Sequence, residues 1–323
     1  MKVSLIVTMR NEMEHLREWW ESLVAQSRAP DELVVVDGGS DDGTWEFLSS
    51  ANPPFPLVLE SFPGSNISQG RNRAVELSSY PVIAVTDGGC VLRPRWLEKL
   101  VAPLEEDPGL QLVAGAYLPH LAPEVGFFQR LSACVTLPRL GEVDEKRFLP
   151  SARSVAYRRE VWEAVGGYPE WLAYGEDMFF NHAWRRMGIR YRVEREAVVE
   201  WRLRPDLASL FRQYFRYAWG DGRSGMYGRR HALRYAVYAW VLPGAAFLGR
   251  HRLYRLATPC AAAAYAGRRW LRVPEFFAGR PTAEKLAALP GVPLLLFLVD
   301  LAKMAGYPAG VAARLREGRG EGD

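Results

Sequence analysis

Short apolar runs alternate with longer stretches in which apolar residues recur every three or four positions, and this alternation continues to about residue 203. Val3 to Thr8 is an apolar, β-branched run that predicts a buried strand. Leu16, Trp20, Leu23 and Val24 follow at helical spacing, with Glu14, Arg17 and Glu21 on the other faces. Pro30 ends that unit, and Leu33 to Val36 reads as a second strand. Leu57 to Leu59 predicts a third strand, Ser68 to Leu77 a helix N-capped by Ser68, and Val82 to Thr86 a further strand. Pro94 opens a helix carrying Trp96, Leu97, Leu100 and Val101. Short buried strands separated by helices predict an α/β fold with a parallel sheet and crossover helices. In an open sheet of this kind ligands gather at the carboxyl ends of the strands.

Those ends are polar here. The first strand ends at Thr8, the second at Asp37, and the Val82–Thr86 strand runs into Asp87. Asp37 begins the run Asp-Gly-Gly-Ser-Asp-Asp-Gly-Thr over 37–44. Its glycines let backbone approach a ligand, and its Asp can accept hydrogen bonds from a base or ribose. Asp-Gly is equally a turn dipeptide, so both readings of Asp37 stand. The chain has no Gly-x-x-x-x-Gly-Lys and no Gly-x-Gly-x-x-Gly, which disfavours ATPase and dinucleotide-binding readings.

Composition adds an asymmetry. The 323 residues are 49% hydrophobic and 24% charged, enough apolar content for a sizeable core. The net charge of +4 conceals 19 Lys/Arg against 8 Asp/Glu from Arg204 onward, and 22 against 29 before it. A basic C-terminal part points to an anionic partner, a membrane surface or a nucleic acid. Cys90, Cys134 and Cys260 are too few and too dispersed for a disulfide framework, consistent with a reducing cytosol. Cys90 reads as a small buried hydrophobe. The N-terminal apolar run is short, and reads as a strand rather than a signal peptide.

Six segments together resemble the family 2 glycosyltransferases, inverting enzymes with the GT-A fold. They are Val-Ser-Leu-Ile-Val-Thr-Met-Arg-Asn-Glu (3–12), Leu-Val-Val-Val-Asp-Gly-Gly-Ser-Asp-Asp-Gly-Thr (33–44), Gly-Arg-Asn-Arg-Ala (70–74), Thr-Asp-Gly-Gly-Cys (86–90), Val-Gly-Gly-Tyr (165–168) and Gly-Glu-Asp (175–177). The resemblance covers residues 3 to 220 and implies a nucleotide-diphosphate sugar donor. It places Thr8 and Asp37 at the nucleotide base and ribose, and Arg71 in the segment that reaches the diphosphate. Asp87 stands where the family's Asp-x-Asp motif begins, whose carboxylates hold a divalent cation, Mg²⁺ or Mn²⁺. Asp177 stands at the catalytic base, with Glu176 as its supporting neighbour. Two positions depart from the pattern: Gly89 replaces the second acid, and Glu200-Trp201-Arg202 occupies the strand where the family often supplies a His. A single Asp plus substrate phosphates can still hold magnesium. Inverting transfer needs a base for the acceptor hydroxyl and stabilisation of the leaving diphosphate. Asp177 opens a predicted helix over 177–187, where a carboxylate is stabilised; helix capping is the other account of Glu176 and Asp177.

Asp206 is expected to cap a helix bearing Leu207, Leu210, Phe211, Tyr214 and Phe215. Gln213-Tyr214-Phe215-Arg216-Tyr217 is similar to the Gln-x-x-Arg-Trp element of membrane-bound polysaccharide synthases of the same family. Gln213 and Arg216 would share a helix face and touch acceptor or diphosphate; a solvated face is the alternative. Three apolar stretches follow, Tyr235–Leu248, Leu256–Ala266 and Leu286–Leu301, each too short or too interrupted for a full span. Arg234 flanks the first, Pro243 interrupts it, and Asp300 sits in the third. Arg229, Arg230, Arg250, Arg252, Arg255, Arg268, Arg269 and Arg272 surround them, with Trp240, Tyr254 and Trp270 interleaved. Such segments describe interfacial helices on an anionic membrane; they are too apolar for a nucleic-acid surface. A helical bundle packed on the catalytic domain is the competing reading.

The expected organisation is therefore a catalytic domain over 1–220, with a nucleotide half to about 115 and an acceptor half beyond it, and a helical extension over 221–323. The expected activity is transfer of a sugar to a glycan or lipid-linked acceptor, in cell-envelope or extracellular polysaccharide or glycolipid synthesis, at the cytoplasmic face of the membrane. Two rival readings are a nucleotidyltransferase, which lacks its phosphate loop at Met9-Arg10-Asn11-Glu12, and a non-catalytic adaptor with a decayed donor site.

Overall fold

Strand β1 (Val3–Met9) pairs in parallel with β2 (Glu32–Asp37) on one side and with β4 (Val82–Val85) on the other. Strand β3 (Leu57–Ser61) continues the parallel set beyond β2. The computed structural model describes residues 1–144, 148–247, 260 and 263–318, without the side chains of 241–247. The chain divides into two compact units, Met1–His120 with Leu140–Arg202, and Leu121–Arg139 with Leu203–Asp323. This division differs from a boundary at 220: the helix expected after Asp206 belongs to the second unit, as does the segment 121–139.

The first unit is an eight-stranded mixed sheet flanked by helices, in the order β3-β2-β1-β4-β7-β6-β8-β5. The strands beyond the parallel set are β5 (Cys90–Leu92), β6 (Leu112–Pro119), β7 (Val155–Arg158) and β8 (Tyr191–Trp201). Strand β7 runs antiparallel to β4 and β6, and β5 antiparallel to β8. Only Thr86–Gly89 separate β4 from β5, far fewer residues than a parallel crossover needs. The chain therefore leaves the parallel set there, and β5 pairs at the opposite edge of the sheet.

Period-two alternation sends each strand's side chains to both faces. Leu5, Val7, Leu33 and Val35 meet one apolar layer with Leu16, Trp19 and Leu23 of α1 (Met13–Val24) and Trp96, Leu97 and Leu100 of α4 (Trp96–Glu106). Ile6, Val34, Val36 and Ile83 meet the other, with Ala74 and Val75 of α3 (Ile67–Leu77), Val161 of α6 (Arg159–Val165) and Phe180 and Trp184 of α7 (Glu176–Arg186). Trp19, not Trp20, is the buried tryptophan of α1, and Val24 is exposed. The N-cap of α3 is Asn66, not Ser68: its side chain accepts from Gln69 N–H, and Gln69 reaches back to Asn66 N–H. That reciprocal capping box outcompetes a single hydroxyl. Ser68 instead donates to the Leu172 carbonyl.

The second unit is helical. It contains α5 (Phe127–Thr136), α8 (Leu207–Ser224), α9 (Gly228–Phe247), α10 (263–270), α11 (Val273–Phe276) and α12 (Thr282–Arg316). Asp206 caps α8 by accepting from Ser209 N–H at 2.8 Å, as its sequence position indicates. Helices α8 and α12 pack at backbone distance through three glycines. A Cβ on Gly310 would lie 2.0 Å from the Trp219 carbonyl oxygen, and one on Gly306 or Gly222 2.2 Å from the carbonyls of Phe215 and Tyr307. Arg234 and Asp300, which interrupt two of the apolar stretches, are partners: Arg234 Nε donates to Asp300 Oδ1 at 2.8 Å. Tyr238 and Tyr265 donate to Oδ2, so a 1% exposed carboxylate joins α9, α10 and α12. Leu248, Arg250, Arg252, Tyr254, Arg255 and most of the Leu256–Ala266 stretch lie outside the described residues, as does the side chain of Pro243.

Gly310→Ala is expected to destabilise the protein by about 1–3 kcal/mol through overpacking against α8. Gly267→Ala in α10, where an added Cβ meets nothing within 4 Å, is expected to stabilise it by roughly 0.5–1 kcal/mol. Thermal melts of both variants against the parent check the pair.

Candidate functional site

The carboxyl ends of β1, β2 and β4 bring Thr8, Asp37 and Asp87 to one side of the first unit, as an open parallel sheet requires. Thr8 sits beside Gly70: a Cβ on Gly70 would lie 2.8 Å from Thr8 Cγ2, so glycine lets α3 cross close over β1. Asp37 is 1% exposed and holds the loop after β2. Its Oδ2 accepts from Gly39 N–H at 3.0 Å and Ser40 N–H at 2.9 Å, and its Oδ1 from the Ser40 hydroxyl at 2.5 Å. The turn reading of Asp37 is thus realised, with Gly39 at φ +87°. Asn11, at φ +56°, stitches this loop to the one after β1: it receives Asp41 N–H on its side chain and gives its own N–H to Ser40 Oγ.

Arg71 organises the acidic residues. It projects from α3, is 2% exposed, and divides its nitrogens between two carboxylates. Its Nη2 donates to Asp87 Oδ1 at 2.9 Å and its Nη1 to Glu176 Oε1. The guanidinium carbon lies 5.5 Å from the ring centre of Tyr168, whose phenol burial pushes up to about 12. Burial opposes the charge on Arg71, but Glu176 and Asp87 outweigh it and hold the guanidinium protonated, above its ordinary range. Burial raises the Glu176 carboxyl above the usual carboxylate range, and Arg71 offsets part of that rise. Glu176 opens α7, one residue earlier than the sequence periodicity indicated, behind Gly175 at φ +81°. Asp177 follows, half-buried in the first turn, where the amide dipoles favour a carboxylate. Its Oδ1 accepts from Met178 N–H at 2.8 Å, and its Oδ2 from Ser151 Oγ at 3.3 Å and Ala152 N–H at 3.4 Å.

Two residues of this group escaped the sequence reading. Arg153 Nη1 donates to Ser151 Oγ at 2.7 Å, and Arg153 Nε lies 3.5 Å from Asp87 Oδ2. Ser151 and Arg153 thereby link Asp177 to Asp87, as Arg71 links Asp87 to Glu176. Their only signal is the polar run Ser-Ala-Arg-Ser immediately before a buried strand, which does not reveal its partners. Trp201, noted only for not being His, packs its ring 4.2 Å from the Arg153 guanidinium. Cys90 is 1% exposed in β5 opposite Trp201, and burial pushes its thiol up, in keeping with a packing role. Gln213 and Arg216 are in α8 of the second unit; Gln213 is buried and donates to Tyr217 Oη at 2.8 Å, while Arg216 is exposed. The two do not share an exposed face.

Of the motif implied by the resemblance to hold a divalent cation, Asp87 is the one acid retained. Each oxygen of Asp87 faces a guanidinium, and among the described residues no three His, Cys, Asp or Glu side chains converge as metal ligands. This donor set does not fit a cation held by protein groups.

The structure is of the α/β class, a mixed sheet with acidic and basic side chains at the carboxyl ends of its parallel strands. The family model "Glycosyl transferase family 2" matches residues 4–165, half of the chain, and the chain belongs to that family. It is a glycosyltransferase with a GT-A fold. It is 27% identical over 248 residues to the glycosyltransferase AglE of Haloferax volcanii, covering 75% of this chain and 80% of the relative. It is 26% identical to the O-antigen chain rhamnosyltransferase RfbN of Salmonella typhimurium, covering 67% and 71%. Its fold is similar to that of the mannosyltransferase PcManGT from Pyrobaculum calidifontis, solved in complex with GDP-Man and Mn²⁺, with a TM-score of 0.53 and 20% identity, covering 98% of this chain and 88% of that one.

Removing Arg71 leaves Glu176 buried beside Asp177 without its counter-charge. Arg71→Met is expected to destabilise the protein by about 3–5 kcal/mol. Arg71→Met with Glu176→Gln should be less destabilised than Arg71→Met alone, because no buried charge is then left unpaired. Urea titrations of the parent, both single variants and the double variant measure the coupling.

Proposed function

We propose that this glycosyltransferase moves a sugar from a nucleotide-diphosphate sugar to an acceptor hydroxyl with inversion, with Asp177 as the catalytic base. The observation that carries this reading is the position of Asp177. It is a half-buried carboxylate at a helix N-terminus, held by Ser151 and Ala152 at the margin of a cluster whose other charges are already paired. A base so placed takes the acceptor proton while the acceptor oxygen bonds to the anomeric carbon. The bond from that carbon to the diphosphate oxygen breaks on the opposite face, and its electron pair leaves with the phosphate. Glu176 fixes Arg71, and Arg71 in turn holds Asp87 beside the diphosphate. Thr8 and Asp37 border the nucleoside, and Asp87 the donor sugar and diphosphate. Asp37 keeps capacity for this role, because a carboxylate accepts about four hydrogen bonds and the loop uses three.

The acceptor is a growing glycan or a lipid-linked sugar in envelope or exopolysaccharide synthesis. The names of the relatives support this, among them an O-antigen chain rhamnosyltransferase and a succinoglycan biosynthesis protein. The site of action is the cytoplasmic face of an anionic membrane, to which the second unit attaches. Its surface supports that reading. On α9, Arg229 and Arg230 precede the exposed Leu233, Val237 and Trp240, which recur every three or four residues. On α12, exposed Leu294, Leu301 and Leu315 fall at multiples of seven, along one side of the helix. Basic residues beside an exposed apolar stripe are the pattern of an interfacial helix. Helix α12 is also long and apolar enough to cross a membrane, by length and composition.

Asp177→Asn is expected to bind nucleoside diphosphate like the parent and to lower turnover by a factor on the order of 10² to 10⁴. Product release from a panel of nucleotide sugars measures it, and near-parental transfer would remove Asp177 from the role. Flotation with vesicles is expected to bind the protein increasingly with anionic lipid and less at high salt. Indifference to vesicles of every composition would assign the apolar stripes to protein packing instead.

A further inference from the structure

Asp87 lies between two guanidinium groups that are held differently. Arg71 is committed on its other side to Glu176 and is almost wholly buried. Arg153 is different. Its side chain is 17% exposed, and it is held by packing as much as by charge. Its guanidinium carbon lies 4.2 Å from the ring centre of Trp201 and 5.8 Å from that of Tyr117, and Nη1 donates to Ser151 Oγ. Trp201 pairs with Cys90 across β8 and β5, so this aromatic platform is rooted in the sheet. A guanidinium stacked by its face presents N–H groups along its edge, the geometry that grips phosphate oxygens.

Three positions are consistent with one another. Residue 89 carries no acid, and a side chain there would approach Glu12: an added Cβ lies 3.2 Å from Glu12 Oε2, so an Asp would bring two carboxylates together. Residue 201 is an aromatic platform rather than a metal-binding imidazole. The space against Asp87 Oδ2 is taken by a fixed cation. The geometry points to Arg153 as the cation that neutralises the donor diphosphate in this enzyme, in the role a divalent metal would otherwise fill. This inference rests on the donor-site reading above. As the anomeric carbon–oxygen bond breaks, the electron pair remains on the diphosphate oxygen and adds one negative charge. The edge N–H groups of Arg153 accommodate that charge, and the acceptor proton goes to Asp177.

The test is calorimetric titration of the full chain with UDP, GDP, CDP, ADP and dTDP, in EDTA and in Mn²⁺. The nucleotide that binds is then titrated into Arg153→Gln and Arg153→Lys. The parent is expected to bind within about threefold as tightly in EDTA as in Mn²⁺, and Arg153→Gln to lose about tenfold or more in EDTA. Arg153→Lys should recover part of that loss. Mn²⁺ should restore part of the affinity of Arg153→Gln, because Asp87 Oδ2 no longer faces a guanidinium. Unchanged melting temperature, and unchanged affinity for the matching nucleoside monophosphate, show that the loss belongs to the second phosphate. A parent whose affinity falls more than about threefold in EDTA overturns the proposal, as does an Arg153→Gln variant that binds like the parent. Failure of all five nucleotides to bind the parent in either buffer would overturn the donor-site reading itself, and this inference with it.

Discussion

A guanidinium that has lost nearly all contact with water needs acceptors, and Arg71 finds them for its two Nη atoms in Asp87 from one strand end and Glu176 from one helix start. The other features of the site follow from this pairing. It locates the first turn of α7 relative to β4, and so it sets where Asp177 stands. It also offsets part of the rise that burial imposes on the Glu176 carboxyl. Of the two adjacent acids, one is consumed in structure and the other is left half-buried at a helix N-terminus. Two neighbouring carboxylates thereby come to stand in different surroundings, without any difference in intrinsic chemistry.

The glycines of the site have separable reasons. Gly70 is needed for close approach, since α3 passes over Thr8 with no room for a methyl group. Gly39 and Gly175 are needed for backbone conformation, at φ +87° and +81°, where the chain must turn out of a strand or into a helix. Gly39 and Gly175 each lie within two residues of an acid they help to place. The charge balance around Asp87 has a further contribution beyond Arg71. Ser151, Arg153 and Trp201 give that carboxylate a second positive partner.

The second unit solves a different problem, which is how to pack long apolar helices that also carry charge. Glycines at 222, 306 and 310 let α8 and α12 approach at backbone distance, and Asp300 is made tolerable in an apolar helix by Arg234 and two tyrosines. An unpaired carboxylate at that depth would be strongly unfavourable. Arg234 and Asp300, which interrupt the apolar stretches, are thus among the residues that fasten α9, α10 and α12 to each other.

The sequence by itself determined the elements whose signal is local. The strands at Val3, Leu33, Leu57 and Val82 and the helices carrying Leu16 and Trp96 were legible because hydrophobic period and strand length are properties of neighbouring residues. Asp206 as a cap was legible for the same reason. Thr8, Asp37 and Asp87 were legible as strand ends, since an α/β sheet exposes those ends whatever its details. Finer local choices were not: Asn66 outcompeted Ser68 because the capping box depends on Gln69, and Trp19 rather than Trp20 turned inward because helix phase shifts by 100° per residue. Tertiary structure alone decided the rest. Arg71 and Glu176 are 105 positions apart, Arg234 and Asp300 66 apart, and no local pattern links them. Arg153 looked like one more arginine before a strand until folding set it between Trp201 and Asp87. Charge pairing acts through space with no periodicity along the chain, so its partners become known only when the fold has brought them together.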